Sequence, residues 1–174
     1  IVTTYDQPAI IEEFLPGREF TVAVLGTGEH ATVLPLVEIN FGELPAEANQ
    51  IYSYEAKWIY DVAEHPLQIF TCPADTSDKL RAEIETIVLR TYEVLDCRDW
   101  SRIDVRLDAR GRANIIEINP LPGILPNPEE NSCYPKAARA AGMTYETMLL
   151  SVLKSGCDRY GIPFAFEAKL SPRA

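Results

Sequence analysis

Asp104, Glu117 and Asn119 place two carboxylates and an amide in a stretch that alternates polar and apolar residues. It runs Arg102-Ile103-Asp104-Val105-Arg106-Leu107 and then, after Arg110-Gly111, Asn114-Ile115-Ile116-Glu117-Ile118-Asn119-Pro120. A strand sends successive side chains to opposite faces, and an antiparallel pair fixes which residues meet. A two- or four-residue loop centred on Arg110-Gly111 sets Asp104 opposite Glu117 and Arg102 opposite Asn119. The other face then collects Ile103, Val105 and Leu107 against Ile116 and Ile118. A three-residue loop would set Asp104 against Ile116 and drive charge into the apolar layer, so the first register is expected. Two carboxylates roughly 5 Å apart at their Cβ atoms repel unless a cation lies between them. Oxygen ligands from Asp, Glu and Asn suit a hard ion such as magnesium, which keeps several waters and commonly bridges to phosphate. A solvated hairpin is the plainer alternative. Against it stands the way the polar strip runs into Asn119-Pro120 and an unusual proline-rich loop ending at Pro128.

Three further groups have chemical potential. The apolar run Ala9 to Leu15 carries Glu12 and Glu13 and is followed by Gly17-Arg18-Glu19. An adenine pocket needs such an apolar wall, a backbone donor and acceptor, and often a carboxylate for the ribose hydroxyls, although an edge strand with surface glutamates reads the same way. Lys57, in Tyr54-Glu55-Ala56-Lys57-Trp58, is a compact point charge suited to a phosphate or simply to solvent. Arg102 could grip a phosphoryl group or a developing oxyanion, or serve as counter-charge to Asp104 or Glu117. Ser132, just before a helical segment, could donate to an anion or act as an ordinary N-cap.

These residues need a scaffold. Arg18–Leu25 and Ala31–Ile39 are β-rich around Gly26-Thr27-Gly28, so with the Ala9–Leu15 run the first forty residues read as three antiparallel strands, and the opening looks strand-like. Residues 40–76 form a connecting region with a strand near Phe70. Apolar residues at 80, 84, 87, 88 and 95 predict a helix over 78–96, with Asp75, Thr76 and Ser77 available as caps. Helices are expected over 135–141 and 144–160, split by Gly142 and closed by Gly161. Strands, helix, hairpin, helices is the order of an α+β fold with an antiparallel sheet.

The chain has 174 residues, one domain's worth, and should bury about 70% of its unfolded surface. It carries 26 acidic against 16 basic residues, and its basic residues do not cluster among aromatics, which excludes nucleic acid as an expected partner. No apolar stretch is long enough to span a bilayer and no signal core opens the chain, so a cytoplasmic protein without a membrane partner is expected. Cys72, Cys97, Cys133 and Cys157 are widely spaced and the two histidines, His30 and His65, lie far apart, which argues for reduced thiols and against zinc. The start at Ile1, without methionine, suggests a piece of a longer polypeptide.

Read together, the chemical residues resemble the C-terminal part of the D-alanine:D-alanine ligases, members of the ATP-grasp superfamily. The resemblance runs from about residue 10 to 161. Its motifs occur in the family's order: Ile-Glu-Glu-Phe-Leu-x-Gly-x-Glu-Phe-Thr-Val-Ala-Val-Leu-Gly at 11–26, Tyr-Glu-Ala-Lys at 54–57, Arg-Ile-Asp-Val at 102–105, Glu-x-Asn-Pro at 117–120, Pro-Gly at 122–123, and Ser-x-x-Pro-x-Ala-Ala-Arg-x-Ala-Gly-Met at 132–143. The resemblance implies an ATP-grasp C-terminal subdomain, an antiparallel sheet flanked by helices. It implies that Asp104, Glu117 and Asn119 hold two magnesium ions, or manganese in their stead, against the phosphates of ATP. Glu12 and the backbone at Leu15 would meet adenine, Ile116 would pack beneath it, Glu19 would take the ribose hydroxyls, and Lys57 would contact phosphate. Arg102 and the Gly123 amide would stabilise the oxyanion, and Ser132 would bind the carboxylate of the amine-donating amino acid. The implied reaction phosphorylates a carboxylate with ATP and then lets an amine displace phosphate to form an amide.

The substrates would be small amino acids, with peptidoglycan precursor synthesis following if D-alanine is one of them, and the full-length protein is a candidate homodimer. Residues 1–174 would form a single such domain, with the family's N-terminal substrate domain and glycine-rich lid outside it, so the fragment alone is expected to be inactive. Trp58 stands where the family usually has tyrosine, and its indole only donates. The loop from Gly123 to Ser132 is longer than usual, with Glu129, Glu130 and Asn131 inserted. These departures point to a ligase for other amino acids or peptides as one alternative and a non-catalytic nucleotide-binding module as another.

Overall fold

In the computed structural model, residues 2–43, 51 and 69–165 are described. The sheet is built around β1 (Glu19–Leu25), which pairs antiparallel with β5 (Trp100–Leu107) on one edge and with β2 (Thr32–Val33) and β3 (Val37–Ile39) on the other. Beyond these, β4 (Phe70–Thr71) pairs with β3, and β6 (Ala113–Asn119) with β5, giving the order β4-β3-β1-β5-β6. The expected α+β architecture is present, with the strand near Phe70 in its place.

The Ala9–Leu15 run is not a strand. It has no regular structure, Ile10 and Ile11 are exposed, and the chain opens instead in a single helical turn, α1 (Val2–Tyr5). β1, the strand it precedes, already has partners along both edges, so the segment cannot pair with its neighbour in sequence. Gly17 then brings the chain onto the sheet. Its N–H donates to Leu107 O at 2.9 Å, and a Cβ there would stand 2.6 Å from that oxygen, so only glycine allows the approach.

β1 is buried on both faces, because helices cover both sides of the sheet. Phe20, Val22 and Val24 pack with Ile103 and Val105 beneath Ile84, Val88 and Tyr92 of α2 (Asp78–Val94). Ser77 caps that helix, its Oγ accepting from Leu80 N at 3.3 Å. On the opposite face Ala23, Leu25 and Val37 meet Tyr134, Ala137 and Ala138 of α3 (Cys133–Ala140) and Met148 of α4 (Tyr145–Tyr160). Thr144 caps α4 by accepting from Thr147 N at 3.1 Å, and Gly161, at φ 65°, ends it in the left-handed region. The two helices and their Gly142 break stand where the periodicity places them.

The hairpin keeps the expected register at its functional end. Arg102 pairs with Asn119, Ile103 with Ile118 and Asp104 with Glu117. Beyond Asp104 the pairing slips by one, to Val105 with Ile115, Arg106 with Asn114 and Leu107 with Ala113. The connection is therefore neither a two- nor a four-residue loop but residues 108–112. Asp108 organises it by accepting from Arg110 N at 2.8 Å and Arg112 N at 2.9 Å. The extra residue is absorbed as a β-bulge that leaves Ile116 without a cross-strand partner. Ile116 thus leaves the apolar face on which strict alternation places it and stands 51% exposed, while Ile115 packs against the α2-side core in its stead.

Candidate metal and nucleotide site

Three cross-strand rows carry the polar residues on the α3 side of the sheet. Going along the strands, Glu19 pairs with Arg106, Thr21 with Asp104 and Ala23 with Arg102, and β6 extends the last two rows with Glu117 and Asn119. These side chains share one face because β1 and β5 alternate in phase. The face opens into a cavity of about 480 Å³, roofed by the loop after β6 and the start of α3.

Arg102 lies between the two carboxylates. Its Nε donates to Asp104 Oδ1 at 3.0 Å, and one terminal nitrogen donates to Asp104 Oδ2 at 2.8 Å and to Glu117 Oε1 at 3.0 Å. Burial disfavours the charge on this guanidinium, but Asp104 and Glu117 outweigh it and hold its pKa above the ordinary value. Glu19 accepts from Arg106 at 2.7 Å, and Arg106, almost fully buried, lies over the rings of Phe14 and Phe41 at 5.0 and 5.3 Å. Burial pushes the Glu19 carboxyl above its usual range, and the nearby Asp104 and Glu117 add to this against the opposing pull of Arg106.

The loop after β6 is fastened from below. Asn119 Oδ1 accepts from Leu121 N at 3.1 Å, and Tyr145 donates to Ile124 O at 2.7 Å. Ser132 occupies the N-cap position of α3 without making the capping bond. Its hydroxyl donates to Gly123 O at 2.9 Å and accepts from Leu125 N at 3.1 Å, clipping the loop closed. Gly123 itself is exposed, and nothing lies within 4 Å of where a side chain would begin. Beside it, burial pushes the Cys133 thiol up to about 12, which leaves it a packing residue rather than a nucleophile.

Eight of the residues singled out in the sequence line this one cavity: Glu19, Arg102, Asp104, Ile116, Glu117, Asn119, Gly123 and Ser132. Glu12 is exposed and Leu15 half-buried on the irregular segment before β1, outside the cavity wall. Lys57 and Trp58 lie outside the described residues. Thr21, Phe70 and Tyr134 also line the cavity and were not foreseen. Thr21 shares the alternation of Glu19, but that it faces Asp104 depends on β1 pairing with β5, which strand periodicity does not reveal.

The donors suit a hard divalent ion. Asp104 and Glu117 supply two carboxylates and Asn119 an amide oxygen. Such an open set leaves coordination positions for water and phosphate, as magnesium prefers. Ile116, Phe70 and Ile39 give the same cavity an apolar wall next to the Glu19 carboxylate.

Comparison with known proteins places the chain in a family. Residues 2–154 match the family described as the D-ala D-ala ligase C-terminus. The chain belongs to the D-alanine–D-alanine ligase family. It is 36% identical over 159 residues to a D-alanine–D-alanine ligase of Bordetella petrii, covering 91% of this chain and 44% of that protein. It is 38% identical over 160 residues to an uncharacterised protein of Sinorhizobium fredii, covering 92% and 44%. The fold matches a D-alanine–D-alanine ligase from Bacillus anthracis solved in complex with ATP, with TM-score 0.60 and 21% identity over 88% of this chain and 42% of that one. The antiparallel sheet flanked by helices is thus the ATP-grasp ligase architecture, and the chain spans less than half the length of these ligase-family relatives. Among the described residues no helix is long and apolar enough to cross a membrane.

Proposed function

We propose that this chain is the ATP- and magnesium-binding part of a cytoplasmic ligase that joins two amino acids, D-alanine foremost, through an acyl phosphate. The observation that carries this reading is the pairing of Asp104 with Glu117 under one arginine, in a cavity that also holds Glu19 and an exposed Ile116. Bound magnesium would neutralise the charge on the transferring phosphate. Asp104, Glu117 and Asn119 would hold the ions, and Ile116 would pack under the base that Glu12 and the Leu15 backbone address. Glu19 would accept from the ribose hydroxyls, its carboxylate already oriented by Arg106. Lys57 would meet phosphate. Arg102 and the Gly123 amide would steady the oxyanion formed when the amine attacks, and Ser132 would hold the carboxylate of the amine donor.

The test is ADP release by the natural full-length polypeptide supplied with ATP, magnesium and D-alanine, then with a panel of other D- and L-amino acids, using Glu117→Gln as control. Release with D-alanine that the control abolishes is expected. A second reading keeps the mechanism and changes the amino acids. It is favoured by Trp58 and by the extended Gly123–Ser132 loop. Release only with another amino acid would select it, and silence across the panel would favour a nucleotide-binding module or a substrate outside the panel, such as a peptide.

A further inference from the structure

Thr21 is 3% exposed, lines the cavity, and its hydroxyl has no hydrogen-bond partner among the described residues. A valine would fill the same space without burying an unsatisfied donor, so this hydroxyl is a cost that packing does not explain. The buried Ser101 hydroxyl likewise has no partner among the described residues, but Ser101 is not part of the cavity wall. What sets Thr21 apart is its place in the ladder. It pairs with Val37 on one edge of β1 and with Asp104 on the other. Cross-strand partners hold their Cβ atoms roughly 5 Å apart, within reach of a hydroxyl-to-carboxylate bond after a turn about one side-chain torsion.

Both oxygens of Asp104 are engaged by the fork of Arg102. A divalent ion competes for those same oxygens, and a carboxylate that gives up a guanidinium for an ion needs another donor to keep its orientation. We propose that Thr21 is that positioning residue, its hydroxyl donating to Asp104 when a divalent cation takes the carboxylate over from Arg102. The inference rests on the ion-site reading above and deepens it.

The experiment is Mn2+ binding, followed by electron paramagnetic resonance on the natural full-length polypeptide, for wild type, Thr21→Val, Thr21→Ser and Asp104→Asn, with thermal unfolding of each in the absence of ions. Thr21→Val is expected to bind Mn2+ about 10-fold more weakly, as loss of an outer-shell partner does. Thr21→Ser should bind close to wild type. Without ions Thr21→Val should unfold at the same temperature as wild type or higher, an outcome a merely structural threonine would not produce. Should Thr21→Val not fold, Thr21→Ala carries the same comparison against Thr21→Ser. Undiminished Mn2+ binding by Thr21→Val, or binding by Thr21→Ser as weak as by Thr21→Val, overturns the proposal for Thr21 alone. Wild-type binding that Asp104→Asn does not weaken overturns the ion site itself, and this inference with it.

Discussion

Asp104 and Glu117 stand directly opposite each other across the β5–β6 ladder, and a single guanidinium, that of Arg102, bonds to both. Arg102 therefore does for the carboxylate pair what a cation would do, and it competes with one. Replacing it with methionine, which keeps much of the stem, leaves two facing carboxylates without their shared donor. Arg102→Met is expected to lower stability in ion-free buffer by about 1–2 kcal/mol, the range for a half-buried ion pair. The same variant should bind Mn2+ more tightly than wild type while losing ligase turnover. Calorimetric titration with Mn2+ checks this, and weaker binding by the variant would show that Arg102 supports the ion rather than rivals it.

Ile115 and Ile116 are neighbours in sequence with opposite roles. The bulge turns Ile116 out to the cavity rim and leaves Ile115 against the core. Ile115→Ala should cost about 2–4 kcal/mol in urea unfolding, as cavity-forming truncations do. Ile116→Ala should change stability by about 0.5 kcal/mol or less, yet weaken ATP binding in the full-length protein. Equal costs for the two variants would mean that the bulge is misplaced.

The functional end of the hairpin was legible because alternation over Arg102–Leu107 and Ile116–Asn119 allows only one register that keeps charge out of the apolar layer. The bulge was not. Its one trace is the Ile115-Ile116 doublet, which breaks the alternation without saying how the ladder absorbs it; that depends on the loop length, which Asp108 sets through hydrogen bonds to Arg110 and Arg112. The strand expected at Ala9–Leu15 shows the same limit from another side: the run is apolar, but one edge of β1 is taken by β2 and β3, which follow it, and the other by β5, far along the chain. Glu19 and Asp104 came to one face for that reason too, through the β1–β5 pairing.

With Glu19 at the ribose, as proposed, its titration would link pH to nucleotide binding. Burial, reinforced by Asp104 and Glu117, raises its pKa in the fold, so its ionised form is the unfavourable one there. By linkage, the stability it contributes is present below its unfolded pKa and is lost as pH rises through the raised folded value. Accepting ribose hydroxyls calls for the carboxylate. ATP affinity is therefore expected to fall on acidification at a higher pH than for an ordinary glutamate, and Glu19→Gln should flatten that limb while weakening affinity at neutral pH. Fluorescence titration with an ATP analogue across the acid range measures it; an unchanged acid limb in the variant would remove Glu19 from nucleotide binding.

Asp99 shows the opposite sign. Although burial pushes its carboxyl up, hydrogen bonds from Arg159, Ser155 and Thr27 outweigh it and hold the pKa below the usual range. These bonds tie α4 to the ends of β1 and β5, outside the cavity wall. Stability from this group is present above the unfolded pKa and lost as pH falls through the lowered folded value. Asp99→Asn, which tolerates the residue's φ of 66°, should be less stable than wild type by about 1–3 kcal/mol at neutral pH, the range for hydrogen bonds to a charged group. The gap should close as the solution is acidified. Melting curves of both proteins from pH 7 downward decide it, a constant gap being the contrary result.

Ser132 holds the loop and lies where the amine donor's carboxylate is proposed to sit, so a loss of activity in Ser132→Ala has two readings. Tyr145 separates them. Its hydroxyl fastens Ile124 of the same loop, but it does not line the cavity. If Ser132 meets substrate, Ser132→Ala should raise KM for the second amino acid about 10-fold or more, the loss of one charge-assisted hydrogen bond. Tyr145→Phe should leave that KM near wild type while lowering stability by about 1 kcal/mol. If both variants raise KM alike, loop order is the determinant, and Ser132 serves as a clip between Gly123 and Leu125 rather than as a substrate ligand.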